Sequence, residues 1–169
     1  IGVMKKEDAV NYGVTGPNLR ACGVDWDLRK NKPYSIYDRF SFKTAVGDGR
    51  TGAIGDSWNR YYVRMVEVEE SVKIARQALA SLPGGDFRTK VPRVLKLPAG
   101  ESYFAVENPK GELGFYIVSS GESKPYRLKL RGPSFNNLSI LSELGRGHFM
   151  ADLIAIVGSL DFVLGEVDR

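Results

Sequence analysis

The stretch Asp56-Ser57-Trp58-Asn59-Arg60-Tyr61-Tyr62-Val63-Arg64-Met65-Val66-Glu67-Val68-Glu69-Glu70-Ser71-Val72-Lys73-Ile74-Ala75-Arg76-Gln77-Ala78-Leu79-Ala80-Ser81-Leu82 carries the clearest periodicity in the protein. Tyr61, Met65, Val68, Val72, Ala75, Leu79 and Leu82 recur at alternating steps of four and three, which puts them on one stripe of a helix. Arg60, Arg64, Glu67, Glu70, Lys73 and Arg76 populate the other faces. Asp56 suits the N-cap, where a carboxylate accepts an orphan backbone N–H. Pro83-Gly84-Gly85 stops the helix. The expectation is a core-packing helix with its apolar stripe inward. A long amphipathic helix normally packs against others, and no second helix of this length is read here. Its partner helices are therefore expected outside this sequence.

Upstream, residues 1–55 read as irregular. A short helix is expected over Lys6 to Tyr12, ended by Gly13. Gly16-Pro17, Gly23, Pro33 and the glycine-rich run from Gly47 to Gly55 then interrupt any regular pattern. A connection this long in a compact domain is usually functional or held down by a partner. Downstream, Ser102 to Glu107, Leu113 to Ser119 and Tyr126 to Leu130 read as strands, rich in aromatic and branched residues. Asn108-Pro109-Lys110-Gly111 fits a tight turn. In the third strand Tyr126, Leu128 and Leu130 alternate with Arg127, Lys129 and Arg131, which predicts one buried face and one wet or anion-facing one. Helices are expected over Ser134 to Glu143, capped by Ser134, and over His148 to Leu160, with Met150, Leu153, Ile154 and Val157 on one stripe. The fold class is α+β: mainly helical, with a small antiparallel sheet of about three strands.

Composition narrows the function classes. With 43% hydrophobic and 26% charged residues the protein can build a core, and its net charge of +4 selects no partner class. The single cysteine, Cys22, excludes a disulfide framework and a multi-cysteine metal cage. A phosphate loop, a metal-spaced cluster and a serine triad motif are all missing. The start, Ile1 to Glu7, turns charged too soon for a signal peptide and lacks an initiator methionine, as a fragment would. The longest apolar stretch, Phe149 to Gly165, is broken by Asp152 and Asp161 and is too short to span a bilayer. The basic row of the third strand has no stacking platform beside it, so nucleic acid is not the expected partner. The tail after Leu160 is odd: Phe162, Val163, Leu164 and Val167 alternate with Asp161, Glu166, Asp168 and Arg169. Buried against a surface, those charges must pair or meet a polar ligand.

Several motifs recur in one order: Asn11-Tyr12-Gly13-x-x-Gly16, Trp26-Asp27-Leu28-Arg29-Lys30, Pro33-Tyr34-x-x-Tyr37-Asp38, Asp56-x-x-x-Arg60-Tyr61, Pro109-Lys110-Gly111-Glu112, Gly147-His148 and Gly165-Glu166-Val167-Asp168-Arg169. Together they resemble the large quinone-site subunit, of the D type, of the proton-pumping NADH:quinone oxidoreductases, respiratory complex I. That family is related to the large subunits of nickel–iron hydrogenases. The resemblance runs over essentially the whole sequence and matches the family's C-terminal half. It implies a partial hydrogenase-large-subunit-like fold in a single portion: 1–55 irregular, 56–82 a long helix, 102–131 antiparallel strands, and 134–169 helices with a cavity-lining tail.

Hydrogenase large subunits end in an Asp-Pro-Cys-x-x-Cys-x-x-His pattern whose thiolates hold nickel. On this sequence Asp161 matches the Asp, Phe162 stands for the Pro, Val163 and Glu166 for the two cysteines, and Arg169 for the His. Without thiolates a nickel site is not expected. The resemblance implies instead a quinone headgroup against Phe162, Val163, Val167, Asp168 and Arg169, with no catalytic and no metal-binding residue in this protein. The family's quinone-binding histidine and tyrosine lie in its other half, and His148 does not take their role. No cofactor is expected on this polypeptide alone; NADH, FMN and iron–sulfur clusters belong to partner subunits. The implied partners are the small subunit with the terminal iron–sulfur cluster, a peripheral-arm subunit of the C type and the membrane arm. The implied place is the cytoplasmic or matrix face of an energy-transducing membrane, peripheral, with no transmembrane segment. Two other readings share these residues: an NDH-type or membrane-bound oxidoreductase with another electron donor, and a non-redox basic interaction domain.

Overall fold

Asp56 starts the long helix as its residue type suggests, its carboxylate accepting the Asn59 N–H at 2.8 Å. The computed structural model describes residues 1–168. The long helix, α4 (Ser57–Ala80), follows three short ones, α1 (Lys6–Asn11), α2 (Pro17–Ala21) and α3 (Leu28–Asn31), and a 3-10 turn at Tyr37–Arg39. An exposed connection leads to the antiparallel strands β1 (Gly100–Asn108), β2 (Gly111–Ser119) and β3 (Arg127–Arg131), which form one sheet in that order. The fold closes with α5 (Pro133–Leu138), α6 (Leu141–Leu144), α7 (Met150–Leu160) and a last turn, α8 (Leu164–Val167). The architecture is mixed helix and sheet, as the sequence reading has it.

The orientation of α4 reverses the expectation. Its apolar stripe faces outward: Tyr61, Met65, Val68, Val72, Leu79 and Leu82 are all exposed. Asn59, Arg60, Val63 and Glu70 are the buried residues. The inward face is polar because what it meets is polar backbone. Arg60, fully buried, donates to the carbonyls of Gly2 (2.9 Å) and Gly55 (2.7 Å) and to the Ser159 hydroxyl (2.9 Å). Glu70 accepts the Lys43 N–H, and the Gln77 side-chain amide both accepts from Ser41 N and donates to Ser41 O. The helix thus gives the irregular segment before it the hydrogen bonds that a sheet would otherwise supply. Burial lowers the Arg60 guanidinium to about 10, and its pairing with oxygen acceptors is what makes that burial tolerable.

A second polar knot joins α2, α3, α4 and β1. Arg20 is almost completely buried and reaches Glu67 (2.7 Å), Glu107 (2.7 Å) and Asp27 (3.9 Å). Asp27 caps α3, accepting from Arg29 N, and pairs with the Arg29 guanidinium at 2.6 Å. Glu107 accepts from Leu28 N. Burial pushes the Asp27 carboxyl up, but hydrogen bonds from Arg29 and the charge of Arg20 outweigh it and hold it below the usual carboxylate range. Glu67 goes the other way, because burial outweighs its pairing with Arg20.

The apolar core is modest. Met4, Ala9, Val14, Leu19, Cys22, Ile140, Leu144, Ile156 and Leu160 form one cluster, joined at its edge by Trp26 and Phe162. Ile156 and Leu160 are the buried residues of α7, whereas Met150 and Ile154 of the expected stripe are exposed. The helix expected over Ser134 to Glu143 is two shorter ones, and Gly132 rather than Ser134 occupies the N-cap. The alternation of burial expected in the third strand is not seen: Tyr126, Leu128 and Leu130 are exposed, and Arg131 of the basic row is the half-buried residue, donating to Glu112 O and Gly13 O.

The Asp27 pairing carries a pH signature. Its folded-state value lies below the unfolded one, so its contribution is complete above about pH 4 and fades as pH falls through the lower folded value. Asp27→Asn is expected to cost roughly 3–5 kcal/mol at pH 7, as for breaking a buried ion pair. Equilibrium unfolding of both forms at pH 7 and pH 3 checks this: the gap should narrow at pH 3, and an equal gap at both would contradict it.

Candidate functional site

The tail is held at two points. The first is Asp161, which ends α7 in a left-handed conformation (φ 54, ψ 50). Its Oδ2 receives Lys110 Nζ at 2.5 Å and lies 3.1 Å from Arg64 Nε. Arg64 also donates to the last carbonyls of α7, Ser159 O (2.7 Å) and Leu160 O (3.1 Å), while Asn18 Nδ2 donates to Leu160 O (2.9 Å). A cation at orphan C-terminal carbonyls is a favourable helix end. Burial lowers the Arg64 guanidinium, opposed by Asp161 and Glu67.

The second point is Glu166. Ser134 donates to it twice, from N to Oε1 (2.7 Å) and from Oγ to Oε2 (2.8 Å). Val163 N donates in turn to Ser134 Oγ at 3.2 Å. The tail therefore folds back onto the start of α5. Between the two anchors Phe162 is half-buried against the core, Val163 and Leu164 are exposed, Val167 is half-buried and Asp168 exposed. Of the five expected quinone-site residues, Phe162, Val163, Val167 and Asp168 thus lie on one short segment. Arg169 lies outside the described residues.

The motifs explain how Lys110 reaches this point. Gly16 (φ +69) and Gly111 (φ +135) pack backbone to backbone; a Cβ on Gly16 would sit 2.4 Å from the Gly111 Cα. Only glycine suits that approach. Asn137 of α5 stitches the two loops, accepting from Thr15 N and donating to Lys110 O. Thr15 Oγ1 accepts from Glu112 N. The β1–β2 turn is thereby pinned, and Lys110 projects from it onto Asp161.

A hollow of about 480 Å³ opens beside this clamp, lined among others by Tyr37, Arg64, Met65, Val68, Lys110 and Asp161. The residues after Asp161 do not line it. No group of His, Cys, Asp and Glu able to hold a metal ion is found among the described residues, and none of the described helices is long and apolar enough to cross a membrane. His148 accepts a long hydrogen bond (3.4 Å) from Gly2 N and faces Asp152. Cys22 is buried, its thiol pushed up to about 11 by that burial, so it is no nucleophile. Sequence reasoning missed the contacts by which Arg64, Lys110 and Ser134 hold the tail. Their partners in the end of α7 and the tail lie 95 or more, 51 and 32 residues away, and no local pattern signals such contacts.

Comparison with known proteins shows the family. The family described as "Respiratory-chain NADH dehydrogenase, 49 Kd subunit" matches residues 1–97 and 87–169. The protein belongs to that family. A relative from Dehalococcoides mccartyi, named as the D subunit of NADH-quinone oxidoreductase, is 53% identical over 169 residues, covering 100% of this sequence and 45% of that protein. Relatives of the same name from Bacillus cereus and Bacillus anthracis are 52% and 51% identical, each over 99% of this sequence and 45% of their own length. The sequence thus spans a little under half the length of these relatives. As a member of this family it is hydrogenase-large-subunit-like, and the mixed helix and three-stranded sheet agree with that class.

Removing the second anchor should loosen the tail alone. Glu166→Ala leaves the buried Ser134 N–H without its acceptor, a loss of roughly 1–3 kcal/mol. Hydrogen exchange should show faster exchange at Val163 and Ser134 with α4 unchanged. Uniform acceleration across the protein would contradict it.

Proposed function

We propose that the protein forms one wall of the quinone-reduction cavity of a proton-pumping NADH:quinone oxidoreductase. The carrying observation is a family match along the whole sequence that ends on a tail fixed at Asp161 and Glu166, with apolar Val163 and Leu164 presented between them. An apolar segment held on a rigid frame suits a hydrophobic, planar headgroup. The relatives' name specifies NADH as donor and quinone as acceptor, which favours this donor over others.

The protein's own part is positioning and electrostatics rather than covalent chemistry. NADH, FMN and iron–sulfur clusters reside on other subunits. Quinone sits between this protein and the small subunit that carries the terminal cluster. Phe162, Val163 and Val167 contact the quinone; Asp168 and Arg169 respond to the charge change on its reduction. The rest of the parent protein and a peripheral-arm subunit of the C type cover the apolar stripe of α4 and the apolar face of the sheet. A continuous exposed row of this kind is what a docking surface presents. The assembly works from the cytoplasmic or matrix side, peripheral to the membrane arm.

Asp168→Asn in the intact complex tests the electrostatic role. The expected result is a shift in quinone KM and inhibitor response together with weaker proton pumping per electron. Unchanged quinone affinity, inhibitor response and pumping would remove Asp168 from the mechanism.

A further inference from the structure

We propose that Lys110 is a positioning residue for the quinone site: through Asp161 it fixes the direction in which the tail leaves α7. This rests on reading the tail as a wall of that site. Asp161 sits at φ 54, and apart from it only Ser35 among the non-glycine residues described has a positive φ. L side chains disfavour that conformation, so it persists where the surroundings impose it. The imposing groups are two cations from different elements, Lys110 of the β1–β2 turn at 2.5 Å and Arg64 of α4 at 3.1 Å, both on one carboxylate oxygen.

The two cations are not equivalent. Arg64 also serves Asn18 Oδ1 and the carbonyls of Ser159 and Leu160, so its removal damages the end of α7. Lys110 Nζ makes its ion pair with Asp161 and with no other described carboxylate. Its backbone is held independently, the N–H donating to Asn108 Oδ1 and the carbonyl accepting from Asn137. A change at its ammonium therefore reaches the tail while the turn keeps its shape. It also borders the 480 Å³ hollow, so an uncharged side chain in its place would leave Arg64 as the remaining cation on Asp161, beside open space. The far anchor at Glu166 stays in place, which confines the expected displacement to Phe162, Val163 and Leu164.

The test uses the intact complex with Lys110→Met, Lys110→Arg and, as reference, Val167→Trp. Four quantities are read: apparent KM and kcat for a short-chain quinone, the half-inhibitory concentration of a quinone-site inhibitor, and NADH oxidation by an artificial acceptor that draws electrons upstream of the quinone. Lys110→Met is expected to raise KM and inhibitor concentration roughly 10- to 100-fold, as for a displaced binding wall, with artificial-acceptor activity per assembled complex unchanged. Lys110→Arg, which keeps the charge, should restore most of this. Quinone KM and inhibition unchanged in Lys110→Met would overturn the proposal if Val167→Trp shifts them. If Val167→Trp leaves them unchanged too, the reading of the tail itself falls. A fall in kcat alone, with KM unmoved, would also overturn it, since that marks a group acting in the reaction rather than placing its wall.

Discussion

The inward polar face of α4 is the constraint on which the rest of the structure depends. Arg60, Arg64, Glu67, Glu70 and Gln77 meet, in turn, the N-terminal segment, the end of α7, Arg20, Lys43 and Ser41. A protein with so much irregular backbone has many N–H and C=O groups that no sheet or helix satisfies, and each left buried and unpaired is costly. The helix's charged side chains satisfy them. The consequence is that its apolar stripe is left exposed.

The sequence was legible where local physics decides. Period marked α4, Asp56 marked its cap, and aromatic and branched runs with an intervening Pro-Lys-Gly turn marked the three strands. It was misleading where burial depends on the partner. The stripe from Tyr61 to Leu82 looks like a core face because apolar residues at helical spacing usually are one. Here the polar face is buried instead, a choice set by long-range contacts with residues 41–45 and Gly2. The cap expected at Ser134 failed for a related reason: Ser134 lies inside α5 and turns to Glu166, a contact 32 residues away in sequence. The motif glycines were visible as a pattern, but not that Gly16 and Gly111 touch.

The tail shows the same division. Family resemblance named Phe162, Val163, Val167, Asp168 and Arg169 as the quinone side, and it placed Val163 and Glu166 where hydrogenase thiolates stand. The geometry gives Glu166 a different use. Each of its carboxylate oxygens accepts a hydrogen bond from Ser134, so the residue acts as a strut for the tail. Asp161, the residue matching the hydrogenase Asp, is likewise held by Lys110 and Arg64 rather than turned to a ligand. What remains exposed between the two anchors, Val163 and Leu164, is apolar and offers no metal ligand.

The central claim, that residues 162–168 face the quinone, is tested most directly by photo-crosslinking. A quinone analogue with a photoreactive headgroup, bound to the intact complex and irradiated, should leave its adduct on the peptide containing Phe162 to Asp168, and excess unlabelled quinone should suppress it. Competable labelling confined to other parts of the complex, with this peptide unmodified, would contradict the account.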